Sequence, residues 1–99
     1  IISVSTIEHI GLGAYGDPLD ADGDTAAMAN LRDWIRPRGF LYFDVPYAPV
    51  YEAKERWRRY DEAQLTARLL PGWQEEARLV IEAGCHPDAP YIALTVTPV

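Results

Sequence analysis

Glu8 and His9 stand side by side directly after the apolar, β-branched run Ile1-Ile2-Ser3-Val4-Ser5-Thr6-Ile7. Imidazole titrates close to neutrality, so His9 can act as a general base, with Glu8 orienting it or accepting a hydrogen bond itself. The same pair can instead close the strand, with His9 bonded to the glycine-rich stretch after it. Arg56, Arg58, Arg59 and Tyr60 form a second group. Arginines there can clamp a carboxylate or phosphate through two parallel N–H donors, or can form a solvated helical face paired with Glu52 and Glu55. A third group, Asp17, Asp20, Asp22 and Asp24, has clustered carboxylates of the kind that bind calcium. Its spacing argues against metal. Counting from Asp20, glycine falls at the fourth position instead of the sixth, and Leu31 takes the place of the bidentate glutamate. Asp24 is expected to cap a helix, and Asp17-Pro18 to form a turn. Cys85-His86 offers two ligands where tetrahedral zinc needs about four, and reads as part of a turn between strands.

The elements that must position these groups follow from patterning. Residues 1–7 read as a strand, and residues 9–23, with Gly11, Gly13, Gly16, Pro18 and Gly23, as a long loop. A helix is predicted from Thr25 to Ile35, with Asp24 as N-cap and Ala27, Leu31, Trp34 and Ile35 on one face. Pro37 and Gly39 stop it. A strand follows from Phe40 to Val45, where Pro46 ends its ladder, and then a mixed stretch over 47–60. A second helix has Asp61 as N-cap, Gln64 in the reciprocal capping position, and Leu65, Leu69 and Leu70 inward. Strands over 77–83 and 91–97 complete a β-loop-α-β-loop-α-β-β order. The βαβ unit implies parallel strands, and the short final connection an antiparallel pair, so the fold class is α/β. In open parallel sheets, ligands bind beyond the carboxyl ends of the strands, which is where Glu8 and His9 fall.

The 99 residues carry a formal net charge of −6 and suit one domain or part of one. An acidic chain repels phosphate backbones, so no nucleic-acid partner is expected. No apolar run is long enough to cross a bilayer, so no membrane partner is expected either, and no signal peptide is visible. A single cysteine excludes an intrachain disulfide and fits a cytoplasmic setting. The sequence opens inside an apolar run without Met, and residues before Ile1 are therefore expected.

Glu8-His9-Ile10-Gly11-Leu12-Gly13 followed by Tyr15-Gly16-Asp17-Pro18-Leu19-Asp20 resembles an uncharacterised family of methyltransferase-like proteins related to the class I S-adenosylmethionine-dependent enzymes. Pro37-Arg38-Gly39, Val45-Pro46 and Arg59-Tyr60 match further elements, and the likeness covers most of residues 1–72. It implies that residues 1–99 are a single partial domain, the C-terminal half of a Rossmann-like methyltransferase sheet, whose strands are the fourth to seventh of seven. It implies S-adenosylmethionine as cofactor and a small molecule or glycan as methyl acceptor. His9 would be the catalytic base with Glu8 supporting it, and Tyr15, Asp17, Arg59 and Tyr60 would shape the acceptor pocket. The glycine-rich loop after the first strand of such enzymes, and the acid after the second, have no counterpart here. Gly11-Leu12-Gly13 lacks a third glycine and leads into a loop, so cofactor-binding residues cannot be assigned. The chain alone should then be inactive, with its first strand able to self-associate. A non-catalytic scaffold of the same fold, or a self-contained binding module, are the alternatives.

Overall fold

The computed structural model describes residues 1–4, 6–13, 19–54, 57–82 and 90–99. Strand β1 (Ile2–Val4) leads to a 3₁₀ turn at Ile7–His9, and helix α1 (Gly23–Trp34) is followed by β2 (Leu41–Pro46). A small hairpin, β3 (Glu52–Ala53) and β4 (Arg58–Arg59), precedes helix α2 (Glu62–Gln64), which widens into a π-helical turn at Leu65–Leu69. Strands β5 (Trp73–Ile81) and β6 (Tyr91–Pro98) end the chain. The protein is mixed α/β: a four-stranded sheet in the order β1-β2-β6-β5 with two helices. β1 runs parallel to β2, and β6 is antiparallel to both β2 and β5. The carboxyl ends of β1, β2 and β5 therefore lie on one side of the sheet. None of the described helices is long and apolar enough to cross a membrane.

The core follows the two-residue period of the central strands. Leu41, Phe43 and Val45 face Val96, Leu94 and Ile92 across the β2–β6 ladder, and all six are at most 1% exposed. Ile7, Met28, Tyr60, Leu65, Leu69 and Trp73 pack on the same cluster. α2 begins as its sequence predicts, with the Asp61 carboxylate accepting from the Gln64 N–H at 2.8 Å. Leu65 and Leu69 are buried, and Leu70 is packed against the cluster.

Several expected boundaries shift. The first strand is only three residues long, because Ile7 and Glu8 turn into the interior instead of extending the ladder. The stretch over 47–60 contains a hairpin, and Arg58 and Arg59 lie on a strand, not on a helical face. β5 begins at Trp73, four residues before the expected start, and has a bulge between Glu75 and Ala77. α1 is capped at Asp22 and not at Asp24, which is fully buried. The helical wheel explains this. Asp24, Met28, Leu31 and Ile35 recur at i, i+4, i+7 and i+11 and form the inward stripe. Trp34 sits roughly a third of a turn from Met28 on that wheel, and is 71% exposed instead of facing the core.

The two edges of the sheet differ. β5 presents Gln74, Glu75, Glu76 and Arg78 and carries the bulge, which are devices that discourage further pairing. Arg78 ties this edge to α2, with its guanidinium 2.9 Å from Glu62 and 2.6 Å from Glu75. Its hydrogen bonds hold both carboxyl pKa values below the ordinary range.

This distribution of burial predicts a sharp contrast. Phe43→Ala should cost about 3–5 kcal/mol. Leu79→Ala, at a side chain 63% exposed, should stay within about 0.5 kcal/mol of the parent. Urea unfolding midpoints of the two variants check this, and similar losses would contradict the placement of the core.

Candidate functional site

The 3₁₀ turn after β1 brings Glu8 and His9 to the carboxyl side of the sheet, against β2, β4 and α1. Its backbone closes through His9 N–H to the Thr6 carbonyl (3.0 Å) and Ile10 N–H to the Ile7 carbonyl (3.2 Å). Glu8 Oε2 lies 3.9 Å from His9 Nε2, with the Glu8 side chain 1% and that of His9 25% exposed. The distance suits an ion pair and is too long for a direct hydrogen bond.

Behind this pair lies a buried charge cluster that local sequence rules did not anticipate. Asp24 accepts from Arg68 Nε at 3.1 Å and Nη2 at 3.0 Å, a two-pronged clamp, and from the Tyr60 hydroxyl at 2.7 Å. Arg58 Nε stands 3.7 Å from the same carboxylate. Asp24, Arg58 and Tyr60 are all 0% exposed. Burial first, and then the Asp24 charge, push the Tyr60 pKa far above its ordinary value, so the phenol remains a neutral donor. The hydrogen bonds that Arg68 itself gives Asp24 raise the pKa of its guanidinium. Arg68 also donates to the Ala21 carbonyl and covers the Tyr51 ring, 5.4 Å from its centroid.

Arg58 directs its remaining donors at backbone. Nη1 donates to the Ile10 carbonyl at 2.6 Å and lies 3.5 Å from that of Glu8, while Nη2 reaches those of Asp20 and Ala21 at 3.3 and 3.4 Å. The two ends of the loop between β1 and α1 meet at this guanidinium. They are also joined by Asp20 N–H to the Gly11 carbonyl at 2.8 Å. Gly11 adopts φ +82°, and a Cβ there would collide with the Asp20 carbonyl oxygen. Only glycine allows that approach.

The period of strand β4 sorts the basic group. Arg58 and Tyr60 point inward to Asp24, whereas Arg59 points the other way, over the Trp57 ring at 4.7 Å. A period-two reading of Trp57-Arg58-Arg59-Tyr60 was the available signal for this split. Tyr15 and Asp17, the other expected pocket residues, lie outside the described residues, as do Cys85 and His86. Asp20 Oδ1 accepts from Asp22 N–H at 2.9 Å. Among the described residues, no three His, Cys, Asp or Glu side chains converge as a metal site would require. A cleft of about 340 Å³ opens beside the carboxyl ends of β2 and β5, bordered by Tyr47, Asp61, Glu62 and Glu82, and His9 is not among its described lining residues.

The profile of a family described as "Caenorhabditis protein of unknown function, DUF268" matches residues 1–75, which carry both the Glu8–His9 pair and the Asp24 cluster. The chain belongs to the DUF268 family. No significant match to this DUF268 chain was found among curated proteins.

The cluster predicts an order of losses. Asp24→Asn leaves the buried Arg58 without its counter-charge and should cost roughly 3–5 kcal/mol. Tyr60→Phe removes one bond to a charged acceptor and should cost about 1.5–3 kcal/mol. Denaturant titrations rank the two, and a Tyr60→Phe loss equal to that of Asp24→Asn would contradict the central place of the carboxylate.

Proposed function

We propose that this DUF268 chain is the acceptor-side half of an S-adenosylmethionine-dependent methyltransferase domain of Rossmann-like architecture, acting on a small molecule or a glycan in a cytoplasmic setting. One observation carries the reading: a buried Glu8 and a part-exposed His9 lie together on the carboxyl side of an α/β sheet, directly after its first strand. Ligands of such sheets bind on that side. The edge position of β1 and the antiparallel β5–β6 pair support the architecture.

S-adenosylmethionine, when bound, supplies an electrophilic methyl group. The residues described do not form its nucleotide cradle. Among the described residues of the loop, Gly11 and Gly23 are the close-approach glycines, and what approaches them is the backbone of Asp20 and of each other, not a ligand. The chain's own part is therefore on the acceptor. His9 takes the proton of an acceptor hydroxyl, Glu8 supports the ring as it becomes positively charged, and proximity supplies the rest of the rate. Arg59, Tyr15 and Asp17 contact the acceptor, and Tyr60 contributes through Asp24. A non-catalytic scaffold is the second reading, favoured by the way Asp24, Arg58, Arg68 and Tyr60 satisfy one another internally.

Two experiments test the proposal. Calorimetry of the 99-residue chain with S-adenosylmethionine should give no saturable heat, and light scattering should reveal self-association through β1, whose Ile2 is 70% exposed. A monodisperse monomer with micromolar cofactor affinity would overturn the half-domain reading. In a longer form that transfers methyl groups, His9→Ala should lower turnover by about 10²–10⁴-fold with cofactor affinity unchanged. Unchanged turnover would remove His9 from the reaction, whereas a longer form that binds S-adenosylmethionine and transfers no methyl group would favour the scaffold.

A further inference from the structure

We propose that Arg58 is the positioning residue for the Glu8–His9 pair. This rests on the reading of that pair as the reacting groups. The carbonyls immediately before and after His9, those of Glu8 and Ile10, both point at a single nitrogen, Arg58 Nη1, at 3.5 and 2.6 Å. The second nitrogen, Nη2, faces the carbonyls of Asp20 and Ala21 at the far end of the loop. The guanidinium itself is fixed by Asp24, 3.7 Å from Nε, and Asp24 is fixed in turn by Arg68 and Tyr60. The Arg58 side chain is itself buried, and the bonds named here go to backbone carbonyls. It acts on His9 through the main chain, by setting where the peptide units on either side of the ring are held.

The ladder cannot do this alone. β1 pairs over three residues, Ile2 to Val4, and the turn begins at Ile7. A planar guanidinium reaches four carbonyls and a carboxylate at once, whereas a lysine ammonium offers three donors at one point. Arg58→Lys therefore keeps the charge and loses the geometry.

Residue-resolved hydrogen exchange on the DUF268 chain separates positioning from general stability. In Arg58→Lys, amides of His9, Ile10 and Asp20 should exchange at least about tenfold faster relative to the β2–β6 amides, with the latter unchanged. Loss spread evenly over loop and sheet, or no change, would overturn the proposal. If Arg58→Lys does not fold, native-state exchange of the unmutated chain in rising denaturant is the second measurement. Residues 7–13 and 19–23 should open together, below the global transition, and separate openings would count against a shared guanidinium. Neither readout needs turnover. Failure of methyl transfer with selective loosening intact removes the proposed reaction and leaves Arg58 in its role. In an active longer form, Arg58→Lys should lower kcat and leave KM nearly unchanged.

Discussion

A single buried carboxylate holds together parts of the chain that the sheet does not connect. Asp24 sits on α1 and takes bonds from Tyr60, just after β4, and from Arg68 in the π-helical turn, with Arg58 of β4 at ion-pair distance. Removing ions from water costs several kcal/mol each, and attraction offsets that cost only when geometry is good and the remaining donors are satisfied. Asp24 is shared by two guanidiniums, Arg68 also has the exposed Asp22 3.7 Å away, and the Arg58 guanidinium carries donors that Asp24 does not satisfy. The carbonyls of Ile10, Asp20 and Ala21 turn inward and present the negative ends of their dipoles to the two guanidiniums. The shape of the loop is thus part of the charge balance. Its carbonyls have an electrostatic reason to face the interior that no hydrophobic argument supplies.

The apolar core and the charged cluster divide the work. Leu41, Phe43 and Val45 against Val96, Leu94 and Ile92 set the register of the sheet, because a one-residue slip of either strand would turn its three outward. That core tolerates hydrophobic exchange of similar volume, so it defines a shape without fixing individual polar atoms. The cluster is directional and fixes atoms. It places the turn at Ile7–His9 relative to α1 and β4, while Ile7, 1% exposed, anchors the same turn in the core.

Much of this was legible where local chemistry decides the outcome. The alternation of β2 and β6, the Asp61 cap with Gln64 three residues on, and the adjacency of Glu8 and His9 beyond the first strand could all be read from neighbouring residues. What failed to be legible depended on residues distant in sequence. Asp24 satisfies every local rule for an N-cap, and a cap would satisfy first-turn N–H groups. It turns inward because Arg68, 44 positions away, and Tyr60, 36 away, offer a charged clamp and a phenol instead. Neither reading of Arg58, as a clamp for a ligand anion or as part of a solvated helical face, has it buried against the chain's own backbone, and only its place on a strand, two residues before Tyr60, reveals the inward face. Trp34 misled in the opposite sense: a large apolar residue was assigned to the core, whereas the stripe centred on Met28 had already turned past it.

The brevity of β1 makes the division of labour consequential. A three-residue parallel strand contributes few ladder bonds, and it sits at an edge of the sheet. An edge strand of this length is normally among the first parts of a sheet to fray. Here the residues that follow it are held from the other side, through the Ile10 carbonyl on Arg58 and the Asp20 N–H on Gly11. Fraying of β1 therefore need not carry Glu8 and His9 with it. The opposite edge is defended by charge and by the bulge in β5, whereas β1 has neither charge nor proline among Ile2, Ser3 and Val4. Such an edge can accept another strand without displacing the turn beyond it. The pair at the carboxyl end of β1 can thus keep its geometry while the strand before it changes partners.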